Sequence, residues 1–114
     1  MAPQRIDAVV VTEDEEFAAN HRAISDSAIA KMLPSIGTTE FALAGGLIGY
    51  GTNVLELYRH ASYFVDRIIK GSKPADLPVE RPTSFELAIN LKTAKLLGLT
   101  ISPTVLLLAN QVIE

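Results

Sequence analysis

A short run of β-branched residues near the start of the chain constrains the fold more than any other feature. The segment Ala8 to Val11 reads Ala-Val-Val-Val, which places apolar side chains on both faces of a strand over about residues 6–11. Strands covered on both faces occur mainly in parallel sheets, whose connections are helices. Thr12 and Glu15 then form a capping-box pattern at the start of an acidic first turn. The opening therefore predicts an α/β fold with a parallel sheet.

The apolar spacing after this cap predicts one helix that ends at about Lys31. The residues of its inward face recur at intervals of three and four: Phe17, His21, Ile24, Ala28 and Met32. Residues 33–37 are too few for another helix and predict a second strand. Residues 38–44 predict a loop or a short helix, and the glycine-rich segment 45–51 predicts a third strand with a bend. The pattern is a β-α-β unit, which is right-handed in nearly all proteins.

The second half of the chain contains three capped helices, a connector and a strand. Asn53 predicts the cap of a long helix that is closed by Gly71. Three prolines at four-residue spacing predict an extended connector without regular structure over residues 72–83. Alternation over residues 84–90 predicts a fourth strand with one buried face. Asn90 then predicts a cap for a short helix, and Ser102-Pro103 predicts an apolar final helix that extends to about Ile113.

Composition excludes several classes of function. The formal charge of −3 provides no positive surface to attract the phosphates of nucleic acid. The absence of cysteine excludes disulfides, zinc knuckles and thiol nucleophiles. No apolar run approaches the roughly 18 residues that span a bilayer, and the first residues do not form a secretory signal. We therefore expect one folded unit of 114 residues, cytoplasmic as given.

No motif in the chain predicts catalysis or a cofactor. His21 and His60 lie 39 positions apart and do not have the spacing of metal ligands. We therefore expect both side chains to be structural or solvated. The glycine cluster reverses the spacing of the dinucleotide fingerprint. Glu13 is of interest because it follows directly after a strand, where open α/β sheets bind ligands. Tyr50 lies in the glycine bend and is either the wall of a small-molecule cleft or a core tyrosine.

Four segments carry a recognisable pattern: Phe41–Gly51, Tyr63–Pro82, Phe85–Leu99 and the closing Val112–Glu114. Together they resemble the C-terminal part of a bacterial ABC transporter substrate-binding protein with the type I periplasmic-binding fold. The resemblance implies a two-lobed, hinged protein that delivers a small solute, such as an amino acid, to a membrane permease. By this resemblance residues 1–50 are similar to part of the second lobe, and residues 51–114 are similar to the part that returns to the first lobe.

The resemblance also implies where a solute would bind. In such proteins the cleft is lined by residues just after the strands of the second lobe and by the hinge. The ligand-binding residues that this implies are Thr12, Glu13, Thr38, Thr39, Glu40 and Tyr50. Glu13 or Glu40 would suit the ammonium group of an amino acid.

The leading hypothesis is therefore a fragment of the solute-binding component of an ABC importer, without catalysis. The parent would be periplasmic or lipid-anchored outside the cytoplasm, and its partners would be a small solute and an ABC permease. Unpaired sheet edges, the apolar final helix and the long connector predict a homodimer or a larger homo-oligomer for the chain itself. The alternative is a small cytoplasmic α/β interaction or regulatory domain.

Overall fold

The computed structural model describes residues 4–114. Strands and short helices alternate through most of this range, as expected for an α/β protein. None of the helices within it is long and apolar enough to cross a membrane. In chain order the elements are β1 Val9–Val10, α1 Glu15–Ala19, α2 His21–Ala30, β2 Ser35–Gly37, α3 Thr39–Leu43, β3 Ile48–Thr52, α4 Val54–Ile69, β4 Phe85–Asn90, α5 Leu91–Leu96, α6 Pro103–Leu108 and β5 Gln111–Ile113.

The strands form one mostly parallel five-stranded sheet in the order β1-β2-β3-β4-β5. In the parallel pair β1–β2, Val10 lies opposite Ile36, and in the parallel pair β2–β3, Gly37 lies opposite Gly49. Strands β4 and β5 are also parallel. The predicted α/β class with a parallel β-α-β opening is confirmed.

Two compact units make up the chain. One contains residues 4–51 and 86–114, and the other contains residues 52–85. Residues 86–114 thus group with the first part of the chain. The single folded unit of 114 residues, and the likeness of residues 1–50 and 51–114 to parts of two lobes, stay predictions.

The helices α4 and α5 begin where their predicted caps lie. The side chain of Asn53 accepts a hydrogen bond from Glu56 N, and the side chain of Asn90 accepts one from Thr93 N. Gly71, after α4, has a φ of +106°, which is the left-handed conformation expected of a closing glycine. Both side chains accept a hydrogen bond from an N–H group of the first turn that has no partner within the helix. Because this contact spans only three residues, the sequence predicts where these helices begin.

The first predicted helix differs from expectation at its start and in its middle. Asp14 rather than Thr12 is the cap, because its carboxylate accepts from Glu16 N. The helix is interrupted at Asn20, whose side-chain amide donates to Glu16 O at 2.8 Å. An asparagine that bonds to the backbone competes with helix continuation, so the segment forms two helices.

The predicted final helix is too long. It ends at Leu108, and residues 111–113 form β5 beside β4. Asn110 explains the change, since its N–H donates to Leu87 O at 2.8 Å while its side-chain oxygen accepts from Leu87 N at 2.9 Å. This paired contact attaches the chain to β4 and favours an added strand over another helical turn.

Three further expectations are wrong in detail. Val10 is 73% exposed, because β1 is at the edge of the sheet and only part of it is covered. Strand β4 does not alternate: Phe85 is exposed, while Ala88, Ile89 and Asn90 at the other end are all buried. The connector contains one short 3-10 turn, Pro74–Asp76, since proline is compatible with a first helical position.

Candidate functional site

The candidate site is the edge of the sheet formed by the carboxyl ends of β1, β2 and β3. Continuing the strand register by one or two residues places Thr12, Thr38 and Tyr50 at one level across these strands. The pairing of the first two strands continues to Val11, one residue before this level, because Val11 N donates to Ile36 O at 2.8 Å. The structure therefore brings the three segments that carry the predicted residues to one edge.

The six predicted residues differ in accessibility at this edge. Thr12, Glu13 and Glu40 are exposed, and Tyr50 is 55% exposed. Thr38 is half-buried and caps α3 by accepting from Phe41 N at 3.3 Å. Thr39 is buried, and its hydroxyl donates to Glu40 Oε2 at 3.2 Å. The two carboxylates and the tyrosine ring are thus the groups most available to a solute.

Helix α3 carries three of these residues, and glycines determine where it lies. Phe41, in the middle of α3, is completely buried. A Cβ added at Gly37 would lie 2.7 Å from the Phe41 ring, and one added at Gly46 would lie 2.2 Å from it. Both distances are far below van der Waals contact, so only glycine leaves room for this ring. His21 closes the remaining side with its ring 5.5 Å from that of Phe41, edge to face.

Gly49 in β3 fixes the other end of α3. A Cβ at this position would lie 2.5 Å from Thr38 O and 2.7 Å from Thr39 Cα. The backbone that carries Thr38 and Thr39 therefore rests directly on β3. Because successive side chains of a strand point to opposite faces, Tyr50 projects from the face of the sheet opposite α3.

Three buried side chains contact the carbonyl groups at the C-terminal end of α3. The amide of Asn90 donates to Ala42 O at 3.0 Å, and the hydroxyl of Thr93 donates to Gly45 O at 2.7 Å. The hydroxyl of Ser25 lies 3.1 Å from Ala44 O and shares its single proton with Arg22 O. The last carbonyl groups of a helix have no hydrogen-bond donor within the helix, so these side chains supply donors to them.

A separate groove of about 830 Å³ lies within residues 52–85. It runs between α4 and the segment 80–84, and none of the six predicted residues lines it. The Nε2 of His60 on α4 contacts the carboxylate of Glu80, and the His60 ring stacks on Tyr63 with 5.9 Å between the ring centres. The guanidinium of Arg67 lies over the Tyr63 ring, 5.6 Å from its centre.

Sequence reasoning did not find the groove or the contacts of Asn90 and Thr93 with α3. The separation of 48 residues between donor and acceptor leaves no periodic signal for those contacts. His60 and Glu80 are also remote in sequence, since they lie 20 positions apart. A capping pattern identified Asn90, but only for its local role at α5.

Comparison with known proteins identifies the family. A family described as ABC transporter substrate binding protein matches residues 1–113. No curated protein matches the chain.

Several solved structures share the fold. An ABC domain from Streptococcus pneumoniae in complex with L-Trp is 31% identical with a TM-score of 0.88, over 96% of this chain and 37% of that one. A conserved domain protein from Vibrio cholerae O1 biovar El Tor is 24% identical with a TM-score of 0.88, over 93% of this chain and 36% of that one. A ligand-free, open substrate-binding protein with adhesive properties from Clostridium difficile is 21% identical with a TM-score of 0.64, over 92% and 36%.

The chain thus spans little more than a third of each of these proteins. The match to the family nevertheless extends over nearly all of this chain. The chain belongs to the ABC transporter substrate-binding protein family.

Proposed function

We propose that this chain is the C-terminal part of the solute-binding component of an ABC importer, which acts outside the cytoplasm and delivers an amino acid or a related solute to a permease. The observation that carries the proposal is the family match over residues 1–113. The L-Trp bound to the Streptococcus pneumoniae protein supports an amino acid as the solute. The role is binding and release, with no catalytic step.

The solute would bind at the edge formed by β1, β2 and β3. Glu13 and Glu40 follow β1 and β2 there, and an exposed carboxylate forms a charge-assisted hydrogen bond with an ammonium group. The half-exposed ring of Tyr50, on the face of the sheet opposite α3, would provide an apolar wall at the same edge. Thr12, Thr38 and Thr39 supply the neighbouring backbone and hydroxyl groups.

The chain alone would bind its solute weakly. A site formed by one edge of the sheet offers few contacts. These contacts offset only part of the several kcal/mol of translational and rotational free energy lost on association. A panel of amino acids that begins with L-Trp tests the proposal in a thermal-shift assay. A ligand at ten times its Kd stabilises the folded state by about 1.4 kcal/mol, which raises the Tm measurably. No shift with any member of the panel contradicts the proposal.

Two variants locate the site. Glu13→Gln and Glu40→Gln each remove a charge while keeping the side-chain shape, so we expect each to reduce the thermal shift. Glu56→Gln is the matched control, because Glu56 lines the groove of residues 52–85 instead. Unchanged shifts in both edge variants would remove these carboxylates from the site.

We also propose that the chain forms a homodimer through α4. Its apolar side chains occupy about half of the helix circumference, and the helix has no buried residue. Tyr58, Val65 and Ile69 in this stripe are all more than half exposed.

Light scattering coupled to size exclusion tests this pairing. The expected mass is twice 12.3 kDa. Val65→Asp places a charge in the stripe and should yield monomers, whereas Arg59→Ala changes the net charge equally on the polar side and should remain dimeric. A wild-type mass of one chain contradicts the dimer and favours the remainder of a solute-binding protein as the partner of this stripe.

A further inference from the structure

We infer that Asn90, with Thr93 and Ser25, is a positioning residue for the solute-binding edge. These side chains contact the C-terminal end of α3, and the other end of α3 carries Thr38, Thr39 and Glu40. The inference rests on the proposed function for the meaning of that edge. The position of α3 itself is measurable without any solute.

Asn90 makes three hydrogen bonds to three separate segments. Its backbone N–H donates to Leu47 O at 2.9 Å, its side-chain amide donates to Ala42 O at 3.0 Å, and its side-chain oxygen accepts from Thr93 N at 3.1 Å. It is only 5% exposed. A buried residue with this many partners fixes the relative positions of β3, α3 and α5, because water offers no replacement for a lost bond.

Thr93 and Ser25 contact the two residues that directly follow α3. The Thr93 hydroxyl donates to Gly45 O at 2.7 Å, and the Ser25 hydroxyl lies 3.1 Å from Ala44 O. Both residues are at most 2% exposed. Donors from α2, from the end of β4 and from α5 therefore hold the carbonyls of residues 42, 44 and 45, which lie within about one turn at the end of α3. A five-residue helix has little stability of its own without such support.

A shift at this end reaches the candidate site through a short path. Glu40 lies two residues from Ala42, and Glu40 O accepts from Ala44 N at 2.9 Å. The opposite side of α3 meets the fixed backbone of β3 at Gly49. Loss of the Asn90 contact would let α3 turn about the buried Phe41 ring, and this rotation would displace the Glu40 carboxylate.

The substitution Asn90→Asp tests the inference with little other change. Aspartate keeps the side-chain acceptor that caps α5, but it replaces the donor to Ala42 O by an oxygen that repels it. We expect amide hydrogen exchange at Ala44 and Gly46 to accelerate by at least about tenfold. The amide of Val11, which pairs β1 with β2, should exchange at its original rate.

A second pair of variants keeps the test decisive if Asn90→Asp unfolds the chain. Thr93→Val removes the donor to Gly45 O, whereas Thr93→Ser retains a hydroxyl. We expect faster exchange at Gly46 and shifted amide resonances at Thr39 and Glu40 in the valine variant, with recovery in the serine variant. Ser102→Ala is the control, because it removes the cap of α6 and does not contact α3.

Unaltered exchange and resonances of α3 in Thr93→Val, or equal changes in Thr93→Val and Thr93→Ser, would overturn the inference. A change of the same size at Val11 would also overturn it, because it would show general destabilisation. Titration with L-Trp is a separate arm. If the amide resonances and exchange rates of α3 change in the variants, but neither L-Trp nor any other amino acid of the panel affects the wild-type chain, the proposed function is refuted and the positioning role stays intact.

Discussion

The sharpest structural prediction compares two glycines of the same strand. At Gly49 an added Cβ would lie 2.5 Å from Thr38 O and 2.9 Å from Ala42 Cβ, so the backbone of α3 would have to move. Overpacking of this kind costs about 1–3 kcal/mol. At Gly51 an added Cβ would meet nothing within 4 Å, and its φ is not positive. Gly51→Ala should therefore stabilise the chain by about 0.4–1 kcal/mol, because alanine restricts the unfolded state.

Urea unfolding followed by circular dichroism measures the difference. We expect the free energy of unfolding of Gly49→Ala to lie about 2 kcal/mol below that of Gly51→Ala. With an m value of about 1–3 kcal/mol/M, the urea midpoints would differ by roughly 1 M. Equal midpoints would refute the conclusion that α3 rests directly on β3. The amide resonances of Thr38 and Thr39 should also shift in Gly49→Ala only.

Three further predictions concern the buried ring, a cap and a turn. Gly46→Ala places a Cβ 2.2 Å from the Phe41 ring, so it should destabilise by about 1–3 kcal/mol, and a double-mutant cycle with Phe41→Leu should show favourable coupling; simple additivity would contradict the clash. Asn53→Ala should lower the free energy of unfolding by about 1 kcal/mol by removing the α4 cap, and Asn53→Ser should largely restore it in the same urea assay. Gly98 has a φ of +68°, so Gly98→Ala should lower the free energy of unfolding by about 1–2 kcal/mol. An unchanged urea midpoint would exclude this backbone strain.

Local signals predicted the elements that depend on neighbouring residues. Asn53 caps a helix whose apolar stripe recurs at helical spacing, and both features lie within one stretch of sequence. The β-branched residues near Val10 predicted a strand in a parallel sheet for the same reason. Burial was harder to predict, since the exposure of Val10 depends on which strands lie beside it.

The errors arise where distant residues outweigh local preference. Residues 111–113 continue an apolar segment that reads as a helix, but Asn110 bonds to Leu87 and the chain becomes β5. The glycine cluster suggested a bend, whereas Gly46 and Gly49 provide space for α3. A sequence shows that glycine is present but does not show which group approaches it.

The predicted site residues followed from strand ends, and the register brings three of them to one level of the sheet. Residues after neighbouring parallel strands must share one edge, so Thr12 and Thr38 come to the same level as Tyr50. The support of that edge by Asn90 could not be predicted, because its partner Ala42 lies 48 residues away.

A nuclear magnetic resonance titration of the chain with L-Trp, followed by the other amino acids, tests the central claim most directly. The account predicts saturable shifts with at least one amino acid, confined to the amides of residues 12–13, 38–40 and 50. It predicts no shifts in the groove between α4 and residues 80–84. Shifts in that groove alone, or no shift at the sheet edge with any amino acid up to its solubility limit, would contradict the account.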